Sequence, residues 1–172
     1  METQSIVVPE TAVDIEPVAA REDFSITYFE IVQAPVSRGT KINSPFGHRT
    51  PPCRGCSSYH QGVDFGSAAG TPVVAIADGV VVEASNSDPS FGVYLKIQHT
   101  INGQTVTSNY AHMQRGSMPY RVGDTVKHGS VVGRVGSTGQ STGAHLYFEI
   151  RLGGQYGQAV NPVPWLRANV NA

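Results

Sequence analysis

Charge is scarce in this 172-residue chain: twelve Lys and Arg face thirteen Asp and Glu, and charged residues make up 15% of the whole. An average domain carries about a quarter. Runs of apolar residues are short, and none approaches the roughly 20 residues that a membrane-crossing helix needs. No membrane span is expected. The N-terminus shows no basic stretch followed by an apolar one, so no signal peptide is visible. Clusters of Arg and Lys interleaved with aromatics are missing, which leaves little ground for a nucleic-acid partner. No long stretch has the period of an amphipathic helix, and the expectation is an all-β fold.

What charge there is divides unevenly. The first thirty residues hold seven acids (Glu2, Glu10, Asp14, Glu16, Glu22, Asp23 and Glu30) and one base, Arg21. Residues 31–172 carry a balance of +5. Residues 1–38 read as an acidic flexible leader with a docking strand around Phe24–Val32, and residues 39–172 as the compact domain. A mildly cationic domain suits an anionic polymer such as cell wall, although the bases are scattered as on an ordinary surface.

Within the domain, Val, Ile and aromatic residues run in short stretches between Gly, Asn and Pro turns. Pro72–Ile76 and Val80–Ala84 flank Asp78-Gly79 and read as two strands around a turn. Val93, Leu95 and Ile97 alternate with Tyr94, Lys96 and Gln98, the pattern of a half-buried strand. Asn102-Gly103 is a tight hairpin signal, because both central residues of such a turn need positive φ. Leu146, Phe148, Ile150 and Leu152 alternate with His145, Tyr147, Glu149 and Arg151. The first set is expected in the core, and His145 and Tyr147 on the opposite side, facing a groove. His48, His99 and His128 have no partner by spacing and are assigned to turns and strand ends. Trp165 is expected to plug the core.

The two cysteines form Cys53-Arg54-Gly55-Cys56. A structural zinc site would need two further ligands at familiar spacing, and only His60 is close. Pro51-Pro52 before the pair and Ser57-Ser58 after it describe a loop, not the helix start that a redox motif requires. A short-loop disulfide in an oxidising compartment is expected; two free thiols are the alternative.

Three short segments carry side chains suited to metal-assisted hydrolysis. They are His60-Gln61-Gly62-Val63-Asp64, Asn109-Tyr110-Ala111-His112 and Gly143-Ala144-His145-Leu146-Tyr147-Phe148-Glu149. Fully extended, His60 and Asp64 would lie roughly 13 Å apart. One ion needs both donors at about 2 Å, so the chain must bend, and Gly62 permits it. Ser44–Arg49, Gly70–Gly79, Val122–Lys127, Ser137–Gly139 and Ser141–Gly143 surround these segments in a fixed order. Together the series resembles the lysostaphin-type zinc endopeptidases across residues 43–166.

That resemblance implies a two-sheet antiparallel domain with a groove, one Zn2+ ion, and hydrolysis of peptide bonds in peptidoglycan stems or cross-bridges. It implies an extracytoplasmic place of action: cell wall, secreted or virion-associated. By the family pattern, His60 and Asp64 are metal ligands and His112 and His145 the catalytic pair. The third ligand position, a His in the family, holds Tyr147. Three outcomes follow: Tyr147 ligates as phenolate, His145 becomes the third ligand, or the site stays empty and the groove only binds wall peptide. A peptidoglycan-binding or regulatory module is thus the alternative to the enzyme. Val122–Gly133 also resembles the hammerhead of biotinyl and lipoyl carriers, but Lys127 reads as part of a Val-rich strand, which sets that function aside.

Overall fold

The computed structural model describes residues 32–170. Residues 1–31 of the expected leader segment 1–38, which include all of the docking strand but Val32, lie outside the described residues. The strands are β1 (Ile42–Ser44), β2 (Gly47–His48), β3 (Tyr59–His60), β4 (Val63–Phe65), β5 (Pro72–Val74) and β6 (Gly79–Asp88). They continue as β7 (Gly92–Ile101), β8 (Gln104–Met113), β9 (Thr125–Val126), β10 (Val131–Arg134), β11 (Leu146–Leu152) and β12 (Gln158–Val160), followed by one helix, α1 (Pro162–Asn169).

The fold is mostly antiparallel β, as expected. Among the described residues the strands form three sheets. The main sheet runs β1-β4-β11-β8-β7-β6-β9, with β12 also on β11; β10–β5 and β2–β3 form two small sheets. The longest strands, β7 and β8, form a hairpin around Asn102 (φ 51°) and Gly103 (φ 73°), as the Asn-Gly pair predicted. Alternating residues of β7, β8 and β11 bury Leu95, Ile97, Val106, Tyr110, Leu146, Phe148 and Ile150 in one core. Each such side chain contributes roughly 1.5–3 kcal/mol when fully buried.

Four local expectations are corrected. Pro72–Val74 and the strand after Asp78-Gly79 do not pair: β5 pairs with β10, and β6 with β7 and β9. Residues 162–169 are helical, although no helix was expected. Asn161 caps the helix by accepting from the Val163 N–H, and Pro162 opens it, where a missing N–H costs nothing. Trp165, on that helix, is only partly buried and packs at the edge of the core. Lys127 lies just beyond β9 with its side chain 74% exposed, ion-paired to Asp78 at 2.8 Å, not within a strand. The core also reaches back to Val32 and Val36, which are both buried. Val32 bridges to Val170, and Gln33 N–H donates to the Ile76 carbonyl.

Candidate active site

β11 sits between β4 and β8, and this order brings the three sequence segments together. Tyr147 pairs with Asp64 on one side and with Ala111 on the other. His60 ends β3, the chain turns through Gln61-Gly62, and Asp64 lies within β4, so the bend required by the His60–Asp64 spacing is present. Gly62 is needed there for space. A Cβ at that position would fall 2.4 Å from the Phe148 carbonyl oxygen and 2.9 Å from the Tyr147 ring.

His60, Asp64, His112, His145 and Tyr147 all line one open groove of about 550 Å³. The three imidazoles share a bonding pattern. His60 Nδ1 lies 2.9 Å from the Pro45 carbonyl, His112 Nδ1 2.8 Å from that of Thr138, and His145 Nδ1 2.8 Å from that of Gly143. A carbonyl can only accept, so each Nδ1 donates, and Nε2 is the ring nitrogen left for other partners. Hydrogen bonds of this kind orient metal-binding and proton-transferring histidines.

Asp64 is the point on which the groups converge. Its Oδ1 lies 3.3 Å from His60 Nε2 and 3.5 Å from His145 Nε2, and its Oδ2 3.4 Å from Arg49 Nη1. Burial alone would raise the Asp64 pKa. Contact with His60, then the charges of His60, His145 and Arg49, outweigh burial and hold the carboxyl below its ordinary value. The group is therefore a carboxylate at neutral pH.

His112 stands beside this group, its ring centroid 4.8 Å from that of His145. It has φ +60°, a left-handed conformation rare for a residue with a side chain. The surroundings impose it. His112 N–H donates to the Phe91 carbonyl, and Thr138 Oγ1 bridges the Val93 N–H and the Met113 carbonyl. Gly92 and Gly139 interlock so tightly that a Cβ on Gly139 would fall 2.3 Å from Gly92 N. That packing fixes the Thr138 carbonyl under the imidazole. Burial pushes the His112 pKa down to about 4, against the raising effect of the carbonyl bond, so His112 is neutral at pH 7.

Tyr147 borders the groove with its ring, but its hydroxyl is directed elsewhere. Tyr147 Oη donates to Glu149 Oε2 at 3.3 Å, in a buried cluster where Glu149 also pairs with Arg151 at 2.6 Å and accepts from Asn109. The ring packs against Phe91 and His60, with centroids 5.6 and 5.3 Å away. Burial, then the charge of Glu149, push the phenol pKa well above 10. A phenol held in this way does not suit zinc, which a tyrosine ligates as the phenolate. The two imidazole nitrogens and the carboxylate around Asp64 do suit it chemically. Among the described residues, no group of three or more His, Cys, Asp or Glu side chains is placed so that it could hold a metal ion without rearrangement.

Two partners were missed from sequence. Arg49 received no role, yet it reaches Asp64 and also donates to Ser44 Oγ at 2.6 Å. Glu149 was read only as the residue alternating with the core. Its i+2 spacing from Tyr147, on the same strand face, was the available signal. Cys53 and Cys56 form the expected disulfide, with Cα atoms 5.2 Å apart. The disulfide loop makes one wall of the groove, where Pro52, Cys56 and Ser57 face the Gln140–Ala144 lip. The two walls come close at Gly55, where a Cβ would lie 3.5 Å from Gln140 Nε2.

Comparison with known proteins matches this architecture. The sequence profile of peptidase family M23 covers residues 58–162. The DD-carboxypeptidase/endopeptidase Mpg of Neisseria meningitidis is 40% identical over 124 residues, 72% of this chain and 26% of that protein. The peptidoglycan DD-endopeptidase ShyC of Vibrio cholerae is 36% identical over 115 residues, 66% of this chain and 25% of that protein. The chain thus spans about a quarter of the length of these curated relatives. The catalytic domain of the antimicrobial peptidase lysostaphin from Staphylococcus simulans superposes with a TM-score of 0.63 at 34% identity, over 74% of this chain and 92% of that one.

Proposed function

This chain belongs to peptidase family M23, and from that premise we propose that its groove is the active site of a zinc-dependent endopeptidase that hydrolyses peptide bonds of bacterial peptidoglycan. The observation that carries the reading is the convergence on Asp64. The Nε2 atoms of two imidazoles approach one carboxylate oxygen in an open groove, beside a third imidazole that is neutral at pH 7.

Each residue has a part in this reading. His60 and Asp64 hold the metal, and Arg49 occupies the second carboxylate oxygen of Asp64 so that Oδ1 faces inward. When bound, zinc polarises the scissile carbonyl and lowers the pKa of water at its open position. The peptide lies in the groove between the disulfide loop and the Gln140–Ala144 lip. His112 and His145 border the reacting bond, and a neutral imidazole there takes up a proton from water or, once protonated, passes it to the leaving amine. Such a group commonly contributes about 10²–10⁴-fold to rate. The substrate class rests on the activities of the relatives. Action outside the cytoplasm follows from that substrate, and the disulfide accords with it.

The test is digestion of purified peptidoglycan sacculi by the full chain, with released fragments identified by mass spectrometry. Paired new amino and carboxyl termini within stem peptides or cross-bridges are expected, together with loss of release under a zinc chelator and its return on adding zinc. Sacculi that stay intact with zinc-loaded protein, or release that ignores the chelator, would overturn the reading.

A further inference from the structure

We propose that Tyr147 is not a metal ligand in this chain and that His145 supplies the third protein donor, beside His60 and Asp64, leaving His112 as the one imidazole free to move protons. The proposal rests on the zinc-peptidase reading and makes the ligand set of that site specific.

Geometry supports it from two directions. Zinc with donors at about 2.0–2.1 Å in a tetrahedron holds those donors about 3.3 Å from one another. Asp64 Oδ1 stands 3.3 Å from His60 Nε2 and 3.5 Å from His145 Nε2, close to that spacing along two edges. Each of these imidazoles is held by its Nδ1 contact to a backbone carbonyl with Nε2 turned toward Asp64. Gathering the three donors around the ion is the step that the protein leaves to the metal.

Tyr147 has the opposite situation. Its ring is clamped between Phe91, His60 and the backbone at Gly62, where no room exists for a Cβ. Its hydroxyl is satisfied by Glu149, itself 1% exposed and ion-paired to Arg151. Swinging the hydroxyl toward the metal would take a bond from a buried carboxylate and open a gap in the aromatic cluster. His145 needs no such rearrangement. It stands just before β11, its ring bonded through Nδ1 to the Gly143 carbonyl, 3.4 Å from Ser141 Oγ, and already facing Asp64. His112, by contrast, is locked by the Thr138 carbonyl and its own backbone, and it makes no ion pair with Asp64 among the described residues.

The experiment measures zinc on the full chain, by elemental analysis after dialysis and by competition with a chromophoric chelator. The parent, Tyr147→Phe, His145→Ala and His145→Gln are compared, with circular dichroism reporting the fold of each. One zinc per parent chain is expected, with affinity unchanged within about twofold in Tyr147→Phe. Both His145 variants should weaken zinc by more than the roughly 10–100-fold that losing an outer-shell partner brings. Zinc addition to the parent should produce no tyrosinate difference absorbance, a readout that needs no variant to fold. A tyrosinate band, loss of zinc in Tyr147→Phe, parental affinity in a folded His145 variant, or a parent that takes up no zinc would each overturn the proposal. Sacculus digestion on the same samples separates the two readings. Chelator-sensitive cleavage with zinc retained in the His145 variants sinks the ligand assignment alone. Zinc lost with His145 but no cleavage by the loaded parent sinks the peptidase reading alone.

Discussion

The two faces of strand β11 are equally buried and serve opposite ends. Leu146, Phe148 and Ile150 are fully buried on the inner face, within the main apolar core. Tyr147 and Glu149 on the groove face are 7% and 1% exposed, and their polar groups meet in one cluster: the phenol donates to the carboxylate, which also meets Arg151 and Asn109. Burial on the inner face stabilises by area and tolerates no polarity. On the groove face it stabilises only while the hydrogen bonds are complete, because an unpaired buried polar group costs about 1–3 kcal/mol. The same strand thus anchors the domain with one side and holds chemistry with the other.

The largest effect should come from breaking the inner face. Phe148 touches Phe65 and Tyr110, with ring centroids 6.2 and 5.3 Å away. Phe148→Ala should lower the unfolding free energy by about 3–5 kcal/mol, the range for an aromatic cavity. Urea titration checks it. A loss under 1 kcal/mol would mean that the core of the main sheet does not depend on this ring.

A smaller loss is expected where the two faces meet. Gly62→Ala places a methyl group 2.4 Å from the Phe148 carbonyl and 2.9 Å from the Tyr147 ring. The β3–β4 bend must shift, at roughly 1–3 kcal/mol. Because His60 and Asp64 flank that bend, zinc affinity should fall with stability. Parental stability together with parental zinc affinity would show that the close approach is not obligatory.

The inner-face pattern of β11 was legible because alternation over seven residues admits one reading. The Asn102-Gly103 hairpin was legible because two adjacent positive φ angles select those residues. The convergence of His60, Asp64, His112 and His145 was legible as an ordered set of motifs. The direction of the Tyr147 hydroxyl was not, since it depends on which of two burial environments the side chain's tip enters, and that is decided by Glu149, Arg151 and Asn109 together. β5 pairs with the distant β10, a non-local choice that no local pattern encodes. α1 is too short for a visible period, though Asn161-Pro162 marks its start. His99 was misplaced as a strand end. It continues the Val93, Leu95, Ile97 alternation into the core and is 2% exposed.

His99 gives the comparison a polar member on an inner face. Its Nδ1 donates to the Asp78 carbonyl and its Nε2 lies 2.7 Å from Ser108 Oγ. Burial lowers its pKa, with the Asp78 carbonyl bond opposing. The folded state therefore resists protonation, while the unfolded chain accepts a proton near the ordinary value of about 6.5. The contribution is complete above about pH 6.5 and is lost as pH falls toward the depressed folded value. Stability in chelator should thus decline from pH 7 to pH 5, and less steeply in His99→Gln. His112 adds a decline of the same sign. A flat profile, or stability that rises on acidification, would contradict the buried neutral histidine.

The smallest effect is expected from the groove face itself. Tyr147→Phe keeps the ring between Phe91 and His60 and removes only the hydroxyl that donates to Glu149. Glu149 retains Arg151 at 2.6 Å and Asn109 at 3.3 Å, so its charge does not become unpaired. The loss should be that of one ordinary hydrogen bond, about 1 kcal/mol, and lower if Arg151 closes the gap. Asn109→Ala should cost a similar amount alone and more in combination with Tyr147→Phe, because two of three partners of one buried carboxylate are then gone. Additive losses in the double variant would mean that the two donors do not share the carboxylate. A loss near that of Phe148→Ala would make the phenol a structural keystone, and the groove face would then stabilise the domain as much as the core face does.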